Sequence, residues 1–166
     1  MRYLLLPLIF CGCSNYTPSH YIPKCHNVID VSPSVPREMW VPIQKAADIW
    51  NSHLHRNDLI KLRLMSNYGD MTIDVVYNNW KFDPMDEGLN TLHVENMFIY
   101  ESHIHLNAVN FKLDSSGVDV ESLVLHEMGH MLGYMHKNDG GVMSPELAER
   151  DVRLGPLPDG KDFVCW

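Results

Sequence analysis

His126-Glu127-Met128-Gly129-His130-Met131-Leu132-Gly133-Tyr134-Met135-His136 is the stretch from which the rest of the chain is read. On an α-helix, side chains four positions apart share a face, so His126 and His130 present their imidazoles to one point. Glu127 lies one step round the helix, within reach of a water on a metal held by those rings. Gly133 takes the left-handed conformation that ends a helix at little cost, and the chain turns back so that His136 supplies a third nitrogen. Three neutral nitrogens leave a zinc ion one open position, which a closed structural site would not have. The competing reading is an amphipathic helix with incidental histidines.

The pattern H-E-x-x-H-x-x-G-x-x-H resembles the signature of the metzincin clan of zinc peptidases. That resemblance implies an α+β fold: a metzincin-like (zincin) catalytic domain with a twisted mixed sheet of three to five strands backed by two helices. A short C-terminal subdomain would follow the third histidine. It also implies one catalytic zinc on His126, His130 and His136, with Glu127 as the general base for hydrolysis of a peptide bond.

Gly141-Val142-Met143-Ser144-Pro145 follows His136 after a short link and resembles the metzincin Met-turn. The resemblance makes Met143 a soft apolar floor beneath the imidazoles, a support rather than a ligand. The Met-Ser-Pro run looks most like the matrixin branch. Astacin- and serralysin-like enzymes carry a tyrosine where this chain has Pro145, so no phenol is offered from the turn to steady an oxyanion. Lys137, directly after the third histidine, fits none of the familiar branches. Leu147 to Val152 resembles the start of the matrixin C-terminal helix, which Gly155, Pro156 and Pro158 should stop early. His93 and His105 match two positions that bind a second, structural zinc in matrixins. The two further ligands have no counterpart at Asn78-Asn79-Trp80, and two ligands do not close a tetrahedral site, so surface histidines are expected instead of a second metal.

Outward from the signature, Asp119 reads as the N-cap of a helix with Val120 to Leu132 as its body. Met39, Trp40, Ile43, Ala46, Ala47, Trp50 and Leu54 recur at helical spacing, giving a helix over about 39–55 with Pro42 tolerated in its first turn. Trp40 and Trp50 are read as core. Ile60, Leu62 and Leu64 alternate with Lys61 and Arg63 as a half-buried strand, and Met71 to Tyr77 forms the next. Leu89 to Val94 is a short strand and Phe98 to Asn107 a longer one.

At 166 residues and 45% hydrophobic content, the chain has material for one domain with a real core. A formal charge of -8 argues against a nucleic-acid partner. No segment approaches the roughly 20 apolar residues that span a bilayer as a helix. Arg2, the apolar run Tyr3 to Phe10 and then Cys11-Gly12-Cys13 resemble a bacterial lipoprotein signal. On that reading residues 1–12 are the signal, Cys13 is lipidated, 13–36 are tether and lead-in, and 37–166 are the zinc metallopeptidase domain. The protein would be extracytoplasmic, held to the membrane by its lipid anchor, or else secreted. Cys25 and Cys165 would be the remaining thiols in an oxidising compartment, and an even pair invites a disulfide. The alternative for Cys25, in Pro23-Lys24-Cys25-His26-Asn27, is a zinc-capping thiolate like the cysteine switch of matrixin propeptides.

The expected activity is that of a monomeric zinc endopeptidase, with polypeptides laid in extended form beside an edge strand around Leu89 to Val94. The alternatives are a non-catalytic zinc-binding surface lipoprotein and a zinc amidase acting on cell-wall peptides. Retention of Glu127 speaks against the first of these, because a purely structural site needs the imidazoles and not the base.

Overall fold

The computed structural model describes residues 21–84, 86–108, 119–145 and 152–166. Within them the order is β1 (Asn27–Val31), a 3-10 turn (Arg37–Met39), α1 (Trp40–His53), β2 (Ile60–Leu64), β3 (Met71–Val76), β4 (Gly88–Glu95), β5 (Phe98–Asn107) and α2 (Val120–Met131), with a final 3-10 turn at Gly160–Asp162. The strands form one five-stranded sheet in the order β2-β1-β3-β5-β4. β1, β2, β3 and β5 run parallel to one another, and β4 alone is antiparallel, folded back on β5. The fold is therefore α+β with a mixed sheet, and β4 is an edge strand.

Both helices pack against the sheet and each other, α1 over β2 and α2 over β4 and β5. The α1 stripe is buried at Ile43, Ala46, Ala47 and Trp50. It meets Ile29, Val31, Ile73, Ile104 and Leu106, which the alternation of their strands points inward. Two buried polar links fix the helix. Trp50 donates its indole N–H to the Leu125 carbonyl of α2 at 2.8 Å, which makes this tryptophan core, as its spacing suggested. Asn51 exchanges two hydrogen bonds with the Ile60 backbone, 2.9 Å each, joining α1 to the start of β2. Helix α2 begins at Asp119, whose carboxylate accepts from the Ser122 N–H and hydroxyl, both at 2.8 Å.

One boundary is corrected. The stretch assigned to tether and lead-in up to residue 36 contains β1, the second strand of the sheet, so the domain begins well before residue 37. The alternation was hidden because the inward positions read Asn27, Ile29 and Val31 while Val28 faces solvent; Asp30, between Ile29 and Val31, is also fully buried. It is satisfied there by Arg63 Nε at 2.6 Å and Nη2 at 2.9 Å, the Ser66 hydroxyl at 2.6 Å, and the N–H groups of Tyr68 and Gly69 at 2.9 Å each. Those bonds hold Asp30 far below the usual carboxylate range, the Arg63 guanidinium contributing most.

Cys25 and Cys165 are joined by a disulfide, so the chain puts this sulfur in a covalent bond rather than over the histidines. Around it Cys25 donates its N–H to the Trp166 carbonyl at 2.9 Å, and Trp166 donates to Pro23 at 3.0 Å. Trp166 then packs against Phe98 and Tyr100 of β5. The signal at 1–12, Cys13, the first part of the tether, and the helix expected over Leu147–Val152 (Val152 excepted) lie outside the described residues. No helix of the described residues is long and apolar enough to cross a membrane.

Candidate metal centre and cleft

Three imidazoles converge at the C-terminal end of α2. The Nε2 atoms of His126, His130 and His136 form a triangle with every edge 3.1 Å. Zinc–nitrogen bonds of about 2.0–2.1 Å at tetrahedral angles require nitrogens roughly 3.3 Å apart, so the donor set fits a zinc ion with a fourth position open. Among the described residues this is the one group of three or more side chains placed to hold a metal.

The outer nitrogens are engaged in ways that leave the inner ones as lone pairs. His126 donates Nδ1–H to the Val142 carbonyl at 2.7 Å, and His130 donates Nδ1–H to the Tyr134 carbonyl at 2.8 Å. A carbonyl can only accept, so each ring is held with Nε2 unprotonated toward the centre. Burial pushes the same way. It lowers His126 to about 4, takes His130 well below the ordinary histidine range, and lowers His136.

Backbone turns deliver the third histidine. Gly133 has φ +86°, where a side chain is strained, and a Cβ there would collide with the Tyr21 carbonyl. Tyr21 also donates its N–H to the Gly133 carbonyl at 3.3 Å, so the chain near the N-terminus braces the turn that leads to His136. Met143 is buried, 2% exposed, against the helix that carries His126 and His130. A Cβ on Gly129 would overlap its sulfur and lie 3.0 Å from the Trp50 ring. The Met143 turn is tied to the link before it, since Lys137 donates its N–H to the Met143 carbonyl at 2.8 Å.

Glu127 lines a cleft together with Leu89, Asn90 and Leu92 of β4 and with Met135 and Pro145. It is 5% exposed. Burial, with Asp86 nearby, pushes its carboxyl up to about 8, opposed by the Asn90 N–H. A carboxylate in such surroundings is a strong proton acceptor when charged.

The remaining histidines go elsewhere. His93 on β4 lies 3.3 Å from Glu95 and 3.7 Å from Glu101, while His105 on β5 lies 2.7 Å from Asp74. His105 also stacks on Phe82, and the two histidines are engaged with different carboxylates. Gly129 and Asn90 were not singled out from the sequence. A glycine inside a strongly patterned helix was the available signal for the first, since it costs about 1 kcal/mol against alanine and so has a packing reason. For Asn90 the signal was a poor strand former in the middle of β4.

Compared with known families, the chain matches the matrixin model over residues 29–158. A search of curated proteins finds no match.

Proposed function

Because this chain belongs to the matrixin family, and is thereby a zinc metallopeptidase acting on peptide substrates, we propose that it is an endopeptidase working with a single zinc on His126, His130 and His136. When bound, zinc supplies Lewis acidity to the scissile carbonyl and acidifies water. The rest falls to the chain itself. The Glu127 carboxylate takes a proton from the attacking water and returns it to the leaving nitrogen. Its burial keeps that proton from bulk solvent between the two steps. The free edge of β4 offers backbone N–H and C=O groups to an extended peptide, which would lie along the cleft as an added strand. With Pro145 in place of a tyrosine, backbone donors rather than a phenol remain to steady the oxyanion.

The observation that carries this reading is the 3.1 Å triangle of nitrogens in the same cleft as a buried carboxylate. Purified protein should contain one zinc per chain and cut a quenched-fluorescent peptide library at internal bonds. Glu127→Gln should keep the zinc and lose about 10²–10⁴-fold in turnover. Wild-type turnover in that variant, or release of terminal residues alone, would overturn the proposal.

We place the enzyme outside the cytoplasm, tethered by a lipid on Cys13. The Cys25–Cys165 disulfide supports this reading, because such bonds persist in oxidising compartments. Cys13→Ala should move the protein from the membrane fraction to the soluble one. An unmodified N-terminus in the native host would refute it.

A further inference from the structure

Asn90 links the edge strand of the sheet to the peptide group of Glu127. Its Nδ2 donates to the Glu127 carbonyl at 2.9 Å, and its Oδ1 accepts from the Ser102 hydroxyl at 2.8 Å. Ser102 lies on β5, is 1% exposed, and does not line the cleft. A hydroxyl donor at Oδ1 orients the amide, turning its NH2 toward the helix. The Glu127 carbonyl lies inside α2, where it already has a helical partner four residues on. The bond from Asn90 is therefore an extra one that the helix does not need for its own sake. Asparagine is also depleted in strands, where an apolar residue would pack between sheet and helix as well. The chain accepts a poorer strand former at a point where the strand reaches the Glu127 peptide.

We propose that Asn90, oriented by Ser102, is a positioning residue for Glu127: it fixes the helix at the general base to the strand along which the substrate lies. This inference rests on the endopeptidase reading. Displacement of a catalytic group by about 1 Å can cost as much as 10²-fold in rate, so one cross-link at this place matters.

The test compares zinc-loaded wild type with Asn90→Leu, Ser102→Ala, Glu127→Gln and Thr72→Ala. Thr72 is the control, on the central strand β3 and away from the cleft, with its hydroxyl 2.8 Å from His103 Nδ1. Zinc content, melting temperature, kcat and KM are measured together with affinity for a peptidyl hydroxamate. That ligand presents to the general base a proton for it to accept, and its binding needs no turnover. Asn90→Leu should keep its zinc and lose about 10–100-fold in kcat, with KM within about threefold. Ser102→Ala should lose about 3–10-fold in the same direction, and Thr72→Ala nothing. Hydroxamate affinity should fall about tenfold in Asn90→Leu and Glu127→Gln, and stay unchanged in Thr72→Ala. Wild-type kcat and hydroxamate affinity in both Asn90→Leu and Ser102→Ala would overturn the inference. So would losses that merely follow zinc content or melting temperature. Should Asn90→Leu fail to fold, Ser102→Ala decides alone. Full turnover in Glu127→Gln would instead sink the endopeptidase mechanism, and the hydroxamate comparison would still judge Asn90.

Discussion

At Gly129 a single carbon atom decides whether the Met143 side chain fits. A methyl there would overlap the Met143 sulfur and press on the Trp50 ring, two groups that are themselves buried. Alanine is the better helix former by about 1 kcal/mol, so propensity alone would favour the exchange. Packing reverses the sign. Gly129→Ala should destabilise the protein by about 1–3 kcal/mol in denaturant titration and weaken zinc retention against a chelator, because displacing Met143 disturbs the turn whose Val142 carbonyl holds His126. Retained stability with tighter zinc would contradict this account. Asp30 poses the opposite case, a buried charge with five hydrogen-bond donors. Asp30→Asn should cost about 1–3 kcal/mol at neutral pH, since an amide cannot accept all five bonds. The pH dependence has a definite sign. The folded pKa lies below the unfolded one of about 3.9, so the stabilisation is complete above the unfolded value. It is lost as pH falls from there toward the folded value. The gap in unfolding free energy between wild type and Asp30→Asn should thus be flat from pH 7 to 5 and shrink below pH 4. A gap that widened on acidification would rule out the ion pair as its cause.

Element by element, the turn of the β4–β5 hairpin carries the clearest unrelieved strain. Glu95 pairs with Phe98, leaving Asn96-Met97 as a two-residue turn with φ +50° and +74°. Positive φ at both positions is the turn that matches strand twist, and asparagine tolerates it, but methionine does not. Met97→Gly should stabilise by about 0.5–1 kcal/mol and raise the melting temperature by about 1–4 °C, whereas Met97→Ala, which keeps the Cβ, should give no gain. Equal effects from the two would show that the turn is not strained. The same scale shows what could be read from the sequence. β5 was legible in extent, and in facing where Ile104 and Leu106 alternate with His103 and His105. Its first half departs from the expected face, since Ile99 is buried and Tyr100 exposed. α2 was legible because an N-cap and a glycine bracket its apolar spacing. His126 and His130 needed only the helical repeat, and His136 only the turn at Gly133. β1 was not legible, because its two buried polar residues break the pattern: Asn27 fills an inward position beside an exposed Val28, and Asp30 is buried on the face that alternation leaves to solvent. Their partners, Arg63 and the Leu59 carbonyl, stand more than thirty positions away. Asn90 was hidden for the same reason, since its bond to Glu127 spans 37 positions. Periodicity reports burial against a face, and says nothing of which distant polar group will satisfy an exception.

For the whole molecule, the covalent link between Cys25 and Cys165 is the term that no single element supplies. The two residues stand 140 positions apart, so the bond closes a loop containing the whole sheet, both helices and the histidine centre. Such a loop has much freedom to lose when unfolded, and the chain-entropy model puts the stabilisation at about 4–5 kcal/mol. Local bonding suggests what the link holds in place. Residues 23 and 25 exchange backbone hydrogen bonds with Trp166, Ile22 exchanges them with Met97 and Ile99, and Tyr21 reaches the Gly133 turn. Both flanks of the domain are thus pinned beside the hairpin, and one continues to the turn before His136. The paired variant Cys25→Ser with Cys165→Ser should lower the unfolding free energy by up to about 4 kcal/mol, and reductant should shift wild type by the same amount but leave the variant unchanged. Zinc content and turnover well below the melting temperature should survive, because His126, His130 and the Met143 turn are held by bonds that do not pass through either cysteine. Loss of zinc on reduction, without unfolding, would mean that the Tyr21 contact depends on the staple and that the disulfide reaches the metal centre through Gly133.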